Sequence, residues 1–389
     1  MSTALQRQRE SAWKEWWTRR RRTFLVVAPI LGLAVLPFLL EGMVLKGAAH
    51  NGNFAFDFNH YNLPAARNLA AGHSPYPFYG YPPLVVFALV PFTFLPAPDV
   101  LFTILVVLCV PGALWLLGVR DWRCYGAAFL WAPVYVGVQT ANVTLPLLFA
   151  VACCWRYRDR PALGALSAGL AIAAKIICWP LAVWLAATRR FGKTAMGAAL
   201  VAALVTFGLW ALIGFSGLRG FLANLNGHRV AETQRGYTVQ AVAADVGLPA
   251  VAGTALWAGV VIVLIALCVI YGRRGDDRRS FSFAIVACIL ASPIVWIHSY
   301  ALLLAPVALY RPRFSAVWLL PALLWVVSGT PGDGTPWQRA LVLGVAAAVF
   351  VTSVFREPPL AHPRGPQNGS RPSLVPVSLE HAEPAASLH

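Results

Sequence analysis

DFNHYNLPAARNLAAGHSPYPFYGYPPL, Asp57 to Leu84, is the one long segment in the first third of the chain with neither an unbroken apolar run nor a cationic cluster. It holds an isolated carboxylate (Asp57), two histidines (His60, His73), four tyrosines and four turn-making prolines. Asn62 is placed to cap a short helix with Pro64 in its first turn and Gly72 at its close. That helix, residues 63–71, is mildly amphipathic and suited to a membrane surface. Two proline-rich pieces, Ser74 to Pro77 and Tyr81 to Pro83, then impose extended, turn-rich backbone. Everything on either side reads as lipid-embedded helix. A polar, aromatic, punctuated insert between spans is where a membrane protein builds a site.

The flanking composition decides the fold class. Of 389 residues, 58% are hydrophobic and 12% charged, whereas a soluble domain carries roughly 25% charged residues. Repeated apolar runs of about 15–25 residues make this an all-α polytopic membrane protein. The formal charge of +16 is divided among short clusters between those runs: Arg19 to Arg22, Arg156 to Arg160, Arg189 to Lys193, Arg273 to Arg279, and Arg311 with Arg313. Such spacing is what retention of cationic loops on the cytoplasmic face produces. Nucleic acid would need a continuous basic face, and the sequence has none; the expected partners include membrane lipids and no nucleic acid. The seven cysteines lie in or beside apolar runs without metal-ligand spacing, as buried membrane thiols do. There is no Walker A motif, Rossmann glycine pattern or Asp-x-Asp pair, so no metal and no cofactor are expected.

In order, residues 1–22 are expected to form a basic cytoplasmic N-terminus, where Trp13, Trp16 and Trp17 on one helical face suit either an interfacial helix or a plain stop-transfer flank. An integral membrane domain follows over 23–355, its first span at about 23–40. The polar insert lies in an outward loop, 42–83, and a second outward loop covers 215–248. The tail, 356–389, is Pro/Ser-rich and expected to be disordered. About 10–12 transmembrane or re-entrant helices are expected. Their parity poses a problem: an odd number of crossings must join residue 82 to residue 156, and four apolar segments lie between them. Some are too short to span about 30 Å. Half-length or re-entrant pairs lining a protein cavity would resolve it; two of the shorter segments, at about 124–138 and 143–155, flank the polar tip from Gln139 to Asn142.

Few residues in such a chain can carry chemistry. Asp57 sits among Phe54, Phe56 and Phe58. It is either a solvated loop charge or, in a poorly hydrated aromatic setting that raises its pKa, a general base. Glu232, Asp245 and Asp333 are the alternatives. Lys175 interrupts an apolar segment and either snorkels or offers a cation to an anionic lipid headgroup. His298 follows the helix-breaking Pro293, as a core histidine or as part of a cavity. Gln139 and Asn142 either satisfy backbone groups or line that cavity. In the second loop, His228, Arg229 and Arg235 could hold a phosphate or a glycan. A transporter or flippase is the competing class, since an intramembrane lysine and broken helices suit a substrate path, although no internal repeat is evident. A non-catalytic scaffold would leave the ordered polar motifs without a purpose.

These motifs together resemble the polyprenol-phosphate-sugar-dependent glycosyltransferases of family 87, within the GT-C superfamily. The resemblance is carried by D-F-x-x-Y, A-R-x-L-x-x-G-x-x-P-Y and Y-P-P-L between Asp57 and Leu84. Q-x-x-N at Gln139 and Asn142, R-P…G-L-x-x-A-x-K from Arg160 to Lys175, and S-P-x-x-W-x-H from Ser292 to His298 complete it. It departs from the family pattern at Ile176, where proline often follows the lysine, and at Ser299, where a second histidine often stands. The resemblance implies a GT-C-type fold in the plasma membrane and a polyprenyl-phosphate sugar donor, mannose or alternatively arabinofuranose. It further implies a lipid- or glycan-linked acceptor and metal-independent inverting transfer on the extracytoplasmic face. Asp57 would be the base; His298, Lys175 and Arg235 would hold the donor phosphate. His60, Tyr61, Tyr76, Tyr81, Gln139 and Asn142 would bind sugar or acceptor.

Overall fold

The computed structural model describes residues 26–27, 29–30, 32, 54–76, 79–232, 235–292, 294–328 and 334–355, with the backbone alone over 228–232. The N-terminal segment 1–22, most of the expected first span and the tail 356–389 lie outside the described residues. Within them every element is a helix and there is no strand, so the all-α reading holds. A π-helical turn, Phe58–Asn62, leads into α1 (Leu63–Ala70). Next come α2 (Pro83–Leu89), continued by a 3-10 turn to Phe94, then α3 (Pro98–Leu116), α4 (Trp122–Phe129) and α5 (Ala132–Gln139). Then follow α6 (Thr144–Tyr157), α7 (Pro161–Ala174), α8 (Pro180–Ala187), α9 (Gly192–Leu212), α10 (Leu218–Glu232) and α11 (Val239–Asp245). The chain closes with α12 (Ala250–Arg273), α13 (Asp277–Leu290), α14 (Leu304–Tyr310), α15 (Trp325–Ser328) and α16 (Pro336–Val354). Among the described residues, four helices are by themselves long and apolar enough to cross a membrane: Pro98–Leu116, Arg189–Leu212, Ala250–Arg273 and Pro336–Val354. Together α5 and α6 would make a fifth, but they bend by 119° at the tip between them. The half-length pair expected at Gln139–Asn142 is therefore present.

The cationic clusters that the structure describes meet at one end of the molecule. The Arg158 guanidinium pairs with Asp277 at 2.7 Å, Arg190 reaches the same carboxylate at 3.4 Å, and the Trp184 indole N–H donates to it at 2.8 Å. Arg278 lies over the Tyr310 ring. The Phe314 amide donates to Asp121, whose carboxyl the bidentate Arg123 holds down at about 2. From this basic end rise three helices of 14 residues each, α6, α7 and α13. At 1.5 Å per residue each spans about 21 Å. They therefore bring Asn142, Lys175 and Ser292 to one level. Small residues allow one riser, α7, to pack closely on its neighbour α9: a Cβ at Gly169 of α7 would lie 2.6 Å from Val201 of α9, and one at Gly197 of α9 would lie 2.8 Å from Ala165. Close approach through small residues is how apolar helices gain contact where burial from water contributes little.

Of the four apolar segments between residues 82 and 156, the first, α2 with its 3-10 turn, is too short to cross a membrane as a straight helix. Pro82 lies at the cavity described below, yet Phe92, one turn past α2, packs edge-on against Phe58 and Phe102. Residues 83–94 thus turn back beside the polar insert instead of crossing. Between that turn and residue 157 lie α3, the α4–α5 pair and α6, of which α3 alone is by itself long and apolar enough to cross a membrane. Two local expectations need correction. Asn62 caps nothing, because the chain is already helical from Phe58 and its side chain makes no cap bond; it is fully buried, and its Oδ1 accepts from the Tyr79 hydroxyl at 3.1 Å. The segment 215–248 is largely the helices α10 and α11, since Phe221, Leu222 and Leu225 make an apolar stripe at helical spacing.

Candidate active site

Asp57 owes its position to the α5–α6 tip. The Ala55 and Asp57 amides donate to the carbonyls of Gln139 and Thr140 at 2.9 and 3.0 Å. Asn142 then reaches the carboxylate, its Nδ2 donating to Asp57 Oδ2 at 2.5 Å. Burial raises the Asp57 carboxyl above its ordinary 3.8; the Asn142 and Thr140 side chains oppose that rise, as do the charges of Lys175 and His60. The carboxylate is consequently half-buried, anchored and close to a cation.

Opposite the tip, two breaks in apolar helix supply a lysine and a histidine. Lys175 takes an extended conformation (φ −148, ψ 108) between α7 and a 3-10 turn, Ile176–Cys178. The break forms even though Ile176 follows it, and the ammonium lies 5.8 Å from the centre of the Tyr81 ring. The second break, after α13, is held by Ser292, whose hydroxyl donates to the Ile294 carbonyl. A 3-10 helix, Ile297–Leu303, then carries the buried His298. Tyr237 is clamped beside it: its amide donates to Val295 at 2.7 Å, and its carbonyl accepts from the Tyr300 hydroxyl at 2.7 Å.

These groups line one cavity of about 1030 Å³. Asp57, Gln139, Asn142, Lys175, Ser292 and His298 form its polar part, with Tyr61 and Tyr81 at its wall. Thr140, Asn226 and Ser299 add to the polar lining, and an apolar stretch of wall is built from Ile176, Trp179, Phe221, Leu222, Leu225 and Val327. Three expected residues are not in the lining. Tyr76 stacks on Trp210 at 4.6 Å and donates to the Tyr81 carbonyl, so it stands behind the wall. His60 is exposed and stacks on the cavity residue Phe56 at 4.2 Å. Arg235 is exposed, two residues before Tyr237. Asp245, an alternative base, lies outside the cavity and pairs with Arg339 of α16 at 2.5 Å; Asp333 and the side chains of His228, Arg229 and Glu232 lie outside the described residues.

The sequence reading missed Trp179, Trp296 and Tyr237 as cavity residues. Trp296 lay inside a quoted motif, and Trp179 stands four residues beyond Lys175; both are aromatic residues beside a helix break. Nothing local marks Tyr237, because its place is set by backbone bonds to residues 58 and 63 positions away. No three His, Cys, Asp or Glu side chains gather among the described residues.

The sequence model for glycosyltransferase family 87 matches residues 78–296, more than half of the chain. The chain belongs to glycosyltransferase family 87. The match takes in Tyr81, Gln139, Asn142 and Lys175, while Asp57 precedes it and His298 falls two residues beyond it. In this family-87 chain the backbone bonds from residues 55–58 to 139–140 join Asp57 to the matched region. No curated protein and no solved structure matches the chain.

Proposed function

We propose that this family-87 glycosyltransferase moves a sugar, mannose in the first instance, from a polyprenyl-phosphate donor to a hydroxyl of a lipid- or glycan-linked acceptor. The observation that carries the proposal is one carboxylate, Asp57, sharing an amphipathic cavity with an ammonium and an imidazole, Lys175 and His298. Asp57 takes the acceptor proton as the acceptor oxygen bonds to the anomeric carbon. The bond from that carbon to the phosphate oxygen breaks, its electrons leave with the lipid phosphate, and configuration inverts. The transition state is oxocarbenium-like. The leaving phosphate needs charge stabilisation more than a proton, and Lys175 and His298 supply it. Tyr61, Tyr81 and Gln139 contact the sugars. Arg235, His60 and Tyr76 act from the rim or behind the wall. The apolar wall of Ile176, Trp179 and Leu222 suits a prenyl chain continuing from its phosphate.

The active site faces the extracytoplasmic side on this reading. The basic clusters gather at the opposite end, where the positive-inside rule puts the cytoplasm, and the plasma membrane then delivers the donor laterally. Three 14-residue risers leave the polar groups recessed by about 9 Å within a 30 Å hydrocarbon layer. A lipid phosphate reaches such a depth more readily than a soluble nucleotide sugar does.

The test is transfer from a panel of polyprenyl-phosphate sugars in nanodiscs with chelator present, wild type beside Asp57→Asn. Wild-type product should fall by roughly 10²–10⁴-fold in the variant, with donor binding and expression retained. Equal product from both proteins would remove Asp57 as the base. Donor movement across liposomes without product would favour a flippase.

A further inference from the structure

We propose that Asn142 and Thr144 are positioning residues for Asp57, with Thr144 setting the rotation of the Asn142 amide so that one carboxylate oxygen is held and the other is left for the acceptor. The inference rests on the glycosyl-transfer reading above and assigns Asn142 a role other than binding sugar. Both side chains are 1% exposed. The Asn142 Oδ1 accepts twice from Thr144, from its backbone N–H at 2.8 Å and from its hydroxyl at 2.7 Å. A backbone N–H can only donate, so the oxygen of the amide must face Thr144 and the NH2 group must face Asp57. The amide therefore has no rotational freedom, and its bond to Asp57 Oδ2 follows from the first turn of α6.

The backbone supports the same purpose. Ala55 and Ala141 both adopt left-handed conformations (φ 50 and 48) and are fully buried. Alanine in that region is uncommon and costs energy, and such strain persists only where the surroundings over-determine it. The two alanines flank the clasp on either side, where residues 55–58 meet 139–140. The junction is thus built to hold one geometry, with Asp57 as the group it presents.

The groups facing Asp57 are Asn142 and Thr140 from the tip, Lys175 from the α7 break, Tyr81 from the segment before α2, His60 from its own turn, and His298 across the cavity. A hydrogen bond donated to a carboxylate favours its charged form. Removing the Asn142 donor should move the Asp57 titration upward by roughly one pH unit. Thr144→Val, which keeps the shape but loses the hydroxyl donor, should move it the same way by less, and Thr144→Ser should restore it.

The experiment follows Asp57 in two ways in Asn142→Ala, Thr144→Val and Thr144→Ser. The first is the acid limb of the kcat/KM profile. The second is the carboxyl infrared titration, taken as each protein's difference from its Asp57→Asn counterpart. The infrared titration needs no turnover, so it reports on positioning even if no donor is used. Upward shifts in the order Asn142→Ala, Thr144→Val, Thr144→Ser, with kcat reduced tenfold or more in the first and KM for the donor unchanged, are expected. An unmoved infrared midpoint in both Asn142→Ala and Thr144→Val would overturn the inference. A raised acceptor KM at unchanged kcat would overturn it too, by making Asn142 a sugar ligand. Absence of transfer by the wild type, with the infrared shifts intact, would instead sink the glycosyl-transfer reading.

Discussion

Asp57 is one carboxylate in a chain with 15 acidic residues, and its surroundings set it apart. Burial raises it, and the largest single opposing contributions come from side chains of the α5–α6 tip, ahead of the Lys175 charge. A base must be deprotonated to work, so transfer should fall as pH drops through a pKa above 3.8. The acid limb of kcat/KM should accordingly lie above that of an ordinary aspartate. Lys175→Met removes a cation that favours the carboxylate and one that faces the leaving phosphate. Its acid limb should move further up, and kcat should fall by about 10²-fold. A reduced kcat with an unshifted limb would confine Lys175 to the phosphate. The candidate base was legible in the sequence because a lone carboxylate among phenylalanines is chemically conspicuous. Its partner was legible only as a polar tip, since nothing in Gln139 to Asn142 says which segment the tip will meet.

At the scale of elements, α7 carries Lys175 and its position depends on how closely α7 packs against α9. Gly169 faces that contact, where a Cβ would lie 2.6 Å from Val201 and 2.9 Å from the Ala198 carbonyl. Gly169→Ala should force the helices apart, cost about 1–3 kcal/mol and displace Lys175. Both the unfolding temperature in detergent and kcat should therefore decline. Gly208→Ala in α9, where a Cβ meets nothing within 4 Å, should be neutral or stabilising by about 0.5–1 kcal/mol. Equal behaviour of the two variants would mean that the α7–α9 contact does not position the lysine. The equal risers were also latent in the sequence. Roughly 15 residues separate each basic cluster from the polar interruption that follows or precedes it: Asn142 from Arg158, Arg160 from Lys175, and Asp277 from Ser292. Helical rise alone turns that spacing into a common depth.

For the whole molecule, one basic end and one cavity end imply a sided topology. Single cysteines replacing Arg160 and Arg274, in a background without the native seven, should react with an impermeant maleimide only in inside-out vesicles. Cysteines replacing Phe94 and Val246, both strongly exposed, should react only in right-side-out vesicles. Labelling of the Phe94 and Arg160 positions from the same side would contradict both the turning back of residues 83–94 and an odd number of crossings between Phe94 and Arg160.

The all-helical membrane class, the cationic clusters, the helix pair at the polar tip and the choice of Asp57, Lys175 and His298 as candidate residues follow from the sequence alone. Each is a local property: apolar length, charge placement, or a polar residue where lipid would exclude it. The fate of residues 83–94, the behaviour of Asn62 and the pairing of Asp245 with Arg339 do not, because each depends on a contact distant in sequence. The same holds for the cavity itself. Its two chemistries, an anchored carboxylate facing a lysine and an imidazole beside a largely apolar wall, exist only once the α5–α6 tip, the two helix breaks and α10 converge. Tertiary packing alone decides that convergence.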